Sequence, residues 1–95
     1  MQEKIEIECE KVAKLLKEKN KKYGNSFKKT VDEFGYACIV IRLFDKLNRI
    51  KTLLIDKEKD DMEDESIEDT LTDLAGYAIL SKIYLNEKTS IDNEI

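Results

Sequence analysis

Apolar residues recur at helical spacing along the middle of the chain, and this pattern most restricts what the sequence can fold into. Between residues 36 and 54 they follow at steps of three and four, on one face of a helix: Tyr36, Val40, Leu43, Leu47, Ile50 and Leu54. The chain has no proline and only three glycines, and charged residues, mostly Lys and Glu, make up 40% of it. Because few residues interrupt helices and many favour them, the sequence predicts an all-α fold.

Residues typical of helix starts and helix ends divide the sequence into three main helices, which we expect to form a small antiparallel bundle. The first spans residues 2–22 and ends before Gly24, a residue suited to the left-handed conformation that closes many helices. The second begins at Thr30, which forms a capping box with Glu33, and runs to about Leu54. A short extra turn fits between the two helices.

A third helix follows a run of charged residues. Residues 56–64 are nearly all charged, which is typical of an exposed loop. The helix itself begins at Asp64 or Ser66 and continues to about Ile83. After Asn86 the sequence has little apolar character to keep it ordered.

The chain is short enough to form one domain, residues 1–86, followed by a flexible C-terminal tail, residues 87–95. A chain of 95 residues buries a modest share of its surface. Residues 39–41 are apolar all round the helix, so they need cover on several sides. We therefore expect a homo-oligomer.

Charge and cysteine content restrict the cellular setting and the partners. The net charge of −4 argues against direct nucleic-acid binding, which needs a basic surface, although a small anion could bind at a local basic spot. No apolar run approaches the ~18 residues of a membrane span, and the first residues do not resemble a signal peptide. Cys9 and Cys38 are typical of reduced thiols, which favours the cytoplasm.

Arginine use singles out the second helix. The chain has 15 lysines but only Arg42 and Arg49 as arginines, with Asp45 between them on the same helical face and Lys46 beside them. A guanidinium offers a planar fork of donors that suits phosphate or carboxylate. This face is either a site for an anionic ligand or an intrahelical network in which Asp45 pairs with both arginines, worth about 0.5 kcal/mol per pair.

A row of acids lies along the third helix. Glu65, Asp69 and Asp73 are spaced by four residues, at which like charges repel each other. The helix dipole favours the acids of the first turn, but Asp73 lies two turns in, among apolar residues. With Asp45 from the other helix, the row could supply oxygen ligands for Mg²⁺. The alternative is a solvated acidic face.

Three sequence blocks in order carry a family resemblance. They are Tyr23-Gly24-Asn25-Ser26-Phe27, then IRLFDKLNR at residues 41–49, then ESIEDTLTDLAGYA at residues 65–78. Through these blocks the chain resembles the phage and bacterial family called nucleotide modification associated domain, type one. That family is in turn similar to the all-α MazG-like nucleotide pyrophosphohydrolases, which use Mg²⁺ to activate water against a nucleoside triphosphate.

The resemblance implies a nucleotide-binding protein and assigns candidate site residues. Asp45, Glu65, Asp69 and Asp73 would hold Mg²⁺; Arg42, Lys46 and Arg49 would contact phosphates; Tyr23 and Asn25 would contact the base or sugar. MazG-like enzymes carry Glu-x-x-Glu on the earlier helix, where this chain has Arg42-x-x-Asp45. That departure weakens the case for Mg²⁺-dependent pyrophosphohydrolysis more than the case for nucleotide binding.

Two other functions fit the same residues. The chain could bind or sequester a nucleotide without cleaving it, acting for a phage against host defence signalling. Alternatively, it could be a helical interaction module in which the arginine face of one subunit, including Arg49, pairs with the acidic helix of another, including Asp69.

Overall fold

Four α-helices account for nearly all of the described structure. The computed structural model describes residues 1–23, 25–56 and 64–94, and the side chains of residues 1–22, 25–56 and 67–89. The helices are α1 (Gln2–Tyr23), α2 (Ser26–Phe34), α3 (Ala37–Lys51) and α4 (Asp64–Glu94), and a π-helical segment, Thr52–Asp56, extends α3. No strand occurs in these ranges, so the predicted all-α class is confirmed.

The predicted second helix is divided in two at Gly35. This residue has a φ of 91° and a ψ of 178°, a conformation nearly restricted to glycine. Its amide closes α2 by donating to the Val31 carbonyl at 2.8 Å. The amides of Cys38 and Ile39 then open α3 by donating to the carbonyls of Gly35 and Tyr36.

The predicted start at Thr30 is therefore wrong. Thr30 lies inside α2, where its hydroxyl donates to the Ser26 carbonyl at 2.8 Å instead of capping a helix with Glu33. Helix α2 begins at Ser26, in the segment where the sequence indicated only a short turn. An intrahelical hydroxyl bond of this kind satisfies Thr30 without ending the helix.

The last helix begins as predicted, at Asp64, and is longer than predicted. It continues past Ile83 and Asn86 to Glu94, because no glycine or proline interrupts the sequence there. The flexibility of residues 87–95 stays a prediction. The predicted loop lies outside the described residues over positions 57–63, as does the predicted conformation of Gly24.

Helix α4 is the element against which the others pack. Pairs of contacting residues show that both α1 and α3 run antiparallel to it: Leu16–Gly76 and Lys19–Asp73 for α1, Lys46–Asp73 and Arg49–Thr70 for α3. Gly76 is buried, and a Cβ there would lie 3.0 Å from Leu16 Cδ2, so glycine permits the close approach of α1. The three helices consequently meet around Asp73.

The described helices bury few side chains completely. Val31 and Tyr84 are the buried apolar residues of this part of the chain, and Thr70 and Ser81 the buried polar ones. None of the described helices is both long and apolar enough to cross a bilayer.

We expect Gly35→Ala to destabilise the protein. An added Cβ would meet no heavy atom within 4 Å, so the cost is backbone strain, about 1–3 kcal/mol. Urea unfolding measures it, with Lys29→Ala in exposed α2 sequence as the control. An unchanged free energy of unfolding would contradict the described corner between α2 and α3.

Candidate functional site

Asp73 holds together side chains from three helices. Its Oδ1 lies 3.5 Å from Lys19 Nζ on α1, and its Oδ2 lies 3.1 Å from Lys46 Nζ on α3. The Asp73 side chain is 28% exposed, so both ion pairs are partly shielded from water. This acid, which the sequence placed among apolar residues, is thus balanced by two ammonium groups.

Three basic residues of α3 face α4. The Arg42 guanidinium and the Lys46 ammonium lie 5.9 Å and 6.0 Å from the centroid of the Tyr77 ring, within cation–π range. Arg49 Nε donates to the Thr70 hydroxyl at 3.2 Å. These three cations therefore line one seam between α3 and α4.

Asp45 does not join this seam. It is exposed, and among the described side chains its carboxylate lies within ion-pair distance of neither Arg42 nor Arg49. The alternative of an intrahelical network centred on Asp45 is therefore not formed. The arginines turn to Tyr77 and Thr70 instead.

A cleft of about 510 Å³ opens beside Asp73, between α1, the start of α2 and the middle of α4. Its polar lining includes Lys19, Asn25 and Asp73, and Leu15 and Leu16 are part of its apolar wall. The rings of Phe27 and Tyr77 also line it, with centroids 6.1 Å apart and planes tilted by 36°. A cleft of this volume, mostly apolar with a few charged groups, suits a small organic ligand.

One edge of the cleft is fixed by a hydrogen-bonded network. Asp32 accepts from Lys28 Nζ at 2.8 Å and from the Tyr84 hydroxyl at 2.6 Å, which ties α2 to α4. The Lys28 bond, helped by the Tyr84 bond, lowers the pKa of the Asp32 carboxyl. The bond to Asp32 in turn raises the pKa of the Lys28 ammonium and raises the pKa of Tyr84 to about 12.

We expect Asp32→Asn to remove a pH-dependent part of the stability. Because folding lowers the pKa of this carboxyl, its contribution is complete above its unfolded pKa of about 4 and is lost as pH falls through the lower folded value. Thermal melts should show the variant less stable at neutral pH, with the difference shrinking below pH ~4. Glu33→Gln, which removes a charge from the same helix, is the control. A difference that persists unchanged in acid would contradict this role.

The structure brings together some of the predicted site residues. Asn25 and Asp73 line the cleft. Lys46 is not part of the lining but adjoins it through its ion pair with Asp73, and Arg42 lies over the ring of Tyr77, which is part of the cleft wall. Arg49 lies nearby along the seam between α3 and α4. The side chains of Tyr23 and Glu65 lie outside the described residues.

The predicted metal ligands show a different picture. Asp45 and Asp69 are exposed, and Asp73 is paired with lysines. Within the described residues no group of three Asp, Glu, Cys or His side chains could hold a metal ion. The four-residue Mg²⁺ set, which includes Glu65, stays a prediction.

Sequence reasoning missed Lys19 and Tyr77. Lys19 is one of many lysines in a Lys- and Glu-rich helix, and no spacing distinguishes it. Tyr77 could have been found, because it follows Asp73 by four residues and so lies on the same face of α4.

Comparison with known families places the chain. The model of a family described as nucleotide modification associated domain 1 matches residues 19–85. The chain belongs to this family. The match covers most of the chain and includes Lys19, Asp73 and Tyr77, whereas Leu15 and Leu16 of the cleft wall lie before it. No curated protein and no solved structure gives a significant match to the chain.

Proposed function

We propose that this protein binds a nucleotide in the cleft beside Asp73. The observation that carries the proposal is the set of cations around Tyr77: Lys46 and Arg42 over its ring, and Lys19 joined to Lys46 through Asp73. The family description, which links the domain to nucleotide modification, supports the same class of ligand. In a chain of net charge −4, this local excess of basic side chains favours a phosphate group.

The geometry suggests how a nucleotide would lie. Lys19 and Lys46 each have one ammonium on the Asp73 carboxylate, so phosphate oxygens could replace that carboxylate as their partner. The rings of Phe27 and Tyr77 offer apolar surface for a base. Asn25 at the cleft wall has amide donors and acceptors that suit the edge of a base or a sugar hydroxyl.

Mg²⁺ would bind together with the phosphates of the nucleotide. This metal is commonly held by one or two carboxylates together with substrate phosphates, and Asp73 is the acid beside the lysines. It would offset the repulsion between the Asp73 carboxylate and a phosphate group. The metal would therefore strengthen nucleotide binding.

Calorimetric titration with a panel of NTPs, dNTPs and base-modified nucleotides, with Mg²⁺ and with EDTA, tests the proposal. We expect at least one of them to bind, and more tightly with Mg²⁺. In Asp73→Asn the Mg²⁺ effect should disappear while metal-free binding persists or improves, because one negative charge is gone. Glu68→Gln, which changes an exposed acid of the same helix that is not among the predicted Mg²⁺ ligands, is the matched control. Failure of the whole panel to bind would reject the proposal.

Binding without cleavage is the form that the described residues favour. Asp73 is neutralised by two lysines, and α3 carries Arg42-x-x-Asp45 where MazG-like enzymes carry two glutamates. Pyrophosphate release, measured with the same nucleotides, separates the two forms. Tight binding with no release supports a sequestering protein, whereas release that is lost in Asp73→Asn supports a Mg²⁺-dependent pyrophosphohydrolase.

A further inference from the structure

Helix α3 leaves an apolar face uncovered. Val40, Phe44 and Leu47 are 66%, 59% and 57% exposed, and Leu54 in the π-helical segment is 51% exposed. Their spacing of four, three and seven residues places them along one side of the helix. We call these four residues the outer face of α3.

The outer face is separate from the candidate nucleotide site. Ile39, Leu43 and Ile50 are half-buried on the adjoining side of the helix, and Lys46 lies beyond them with its ammonium on Asp73. The apolar character of the outer face therefore serves neither the cleft nor the contact with α4. At the N-terminal end, exposed Phe34 and Tyr36 enlarge the apolar surface.

The solvent-accessible surface area of the chain is larger than that of a compact monomer of the same mass. A compact monomer of this mass exposes about 5,700 Å². This chain exposes 7954 Å². The difference is roughly 2,300 Å² per copy, or about 4,600 Å² for two copies, and permanent dimers bury about 2,000–5,000 Å² over both copies. Of the apolar side chains in the described part of the chain, only Val31 and Tyr84 are buried, so a single copy has a small core.

We propose that the outer face of α3 is the interface of a homodimer related by a twofold axis. Because the core of one copy is small, the exposed apolar face needs to be buried whenever the protein is folded. A second copy of the chain is the partner that is always present in equal amount. A twofold axis also suits a single stripe, because each copy presents the same apolar residues to the other. Pairing α3 with α3 of the second copy would bury Val40, Phe44 and Leu47 in a helix–helix interface.

Light scattering coupled to size-exclusion chromatography tests the interface. We expect the molar mass measured for the wild-type protein to be twice the 11.1 kDa of one chain. Leu47→Glu should weaken the dimer by about 100-fold, because it places an unpaired charge in the dimer interface. Ile7→Glu is the matched control, since Ile7 is an aliphatic residue of similar exposure, 52%, on α1. It should leave the dimer intact.

A second measurement covers the case in which Leu47→Glu does not fold. The melting temperature of the wild-type protein should rise with protein concentration, since dissociation accompanies unfolding of a permanent dimer. A wild-type protein that is monomeric at about 100 μM, or a melting temperature independent of concentration, would overturn the proposal. Dissociation by Ile7→Glu but not by Leu47→Glu would also overturn it. None of these results depends on nucleotide binding.

Discussion

Replacing Lys46 by methionine should lower the affinity for the nucleotide that binds best by about 10- to 100-fold, as expected for the loss of one hydrogen bond to a charged group. Methionine keeps most of the length and apolar surface of the side chain, so the α3–α4 contact persists. The ammonium that lies between Asp73 and the Tyr77 ring is the group removed. Calorimetry with the wild-type protein and the variant measures the loss.

Lys51→Met is the control for this substitution. Lys51 is an exposed residue of the same helix and lies away from the cleft. The two variants lose the same charge, so a general electrostatic effect would weaken binding equally in both. Equal losses would contradict a specific contact between Lys46 and phosphate, and a loss confined to Lys46→Met is the expected result.

Replacing Tyr77 by alanine should affect both stability and binding. Its half-buried ring contacts Phe27 from α2 and lies under the cations of Arg42 and Lys46 from α3. Removing the ring leaves a gap among three helices and withdraws the aromatic surface proposed for the base. We expect a loss of about 2–4 kcal/mol in the free energy of unfolding, together with weaker nucleotide binding.

Tyr77→Phe separates the ring from the hydroxyl. If the ring contacts matter, this variant should keep nearly all of the stability, measured by urea unfolding, and nearly all of the affinity. A Tyr77→Ala protein as stable as the wild type would contradict the packing described around α4. Normal binding by a folded Tyr77→Ala protein would contradict the proposed place of the base.

Local sequence patterns predicted the helices well, because helical periodicity is a property of neighbouring residues. The break at Gly35 was missed because one glycine within an otherwise continuous apolar pattern is compatible with a helix. Its left-handed conformation depends on how α2 and α3 each pack. The end of α4 was placed too early because low apolar content was taken as a stop signal, whereas no glycine or proline stops the helix before Glu94.

The site was predicted in part for the same reason. Arg42, Lys46 and Arg49 were recognised from their spacing within one helix, but their partners come from α4, 21 to 35 residues further along the chain. Spacing within the helix indicated Asp45 as the partner of the arginines. In the structure the basic side chains of α3 contact Tyr77, Asp73 and Thr70 of α4 instead. Contacts between distant segments cannot be deduced from spacing within one of them.

Nuclear magnetic resonance titration of the ¹⁵N-labelled protein with a nucleotide tests whether the ligand binds beside Asp73. We expect the largest amide shifts to cluster around the cleft, at Lys19, Asn25, Lys46, Asp73 and Tyr77. We expect small shifts at residues remote from the cleft, such as Ile5 near the start of α1. Shifts concentrated away from Asp73, or no shifts with any nucleotide at millimolar concentration, would contradict binding at this site.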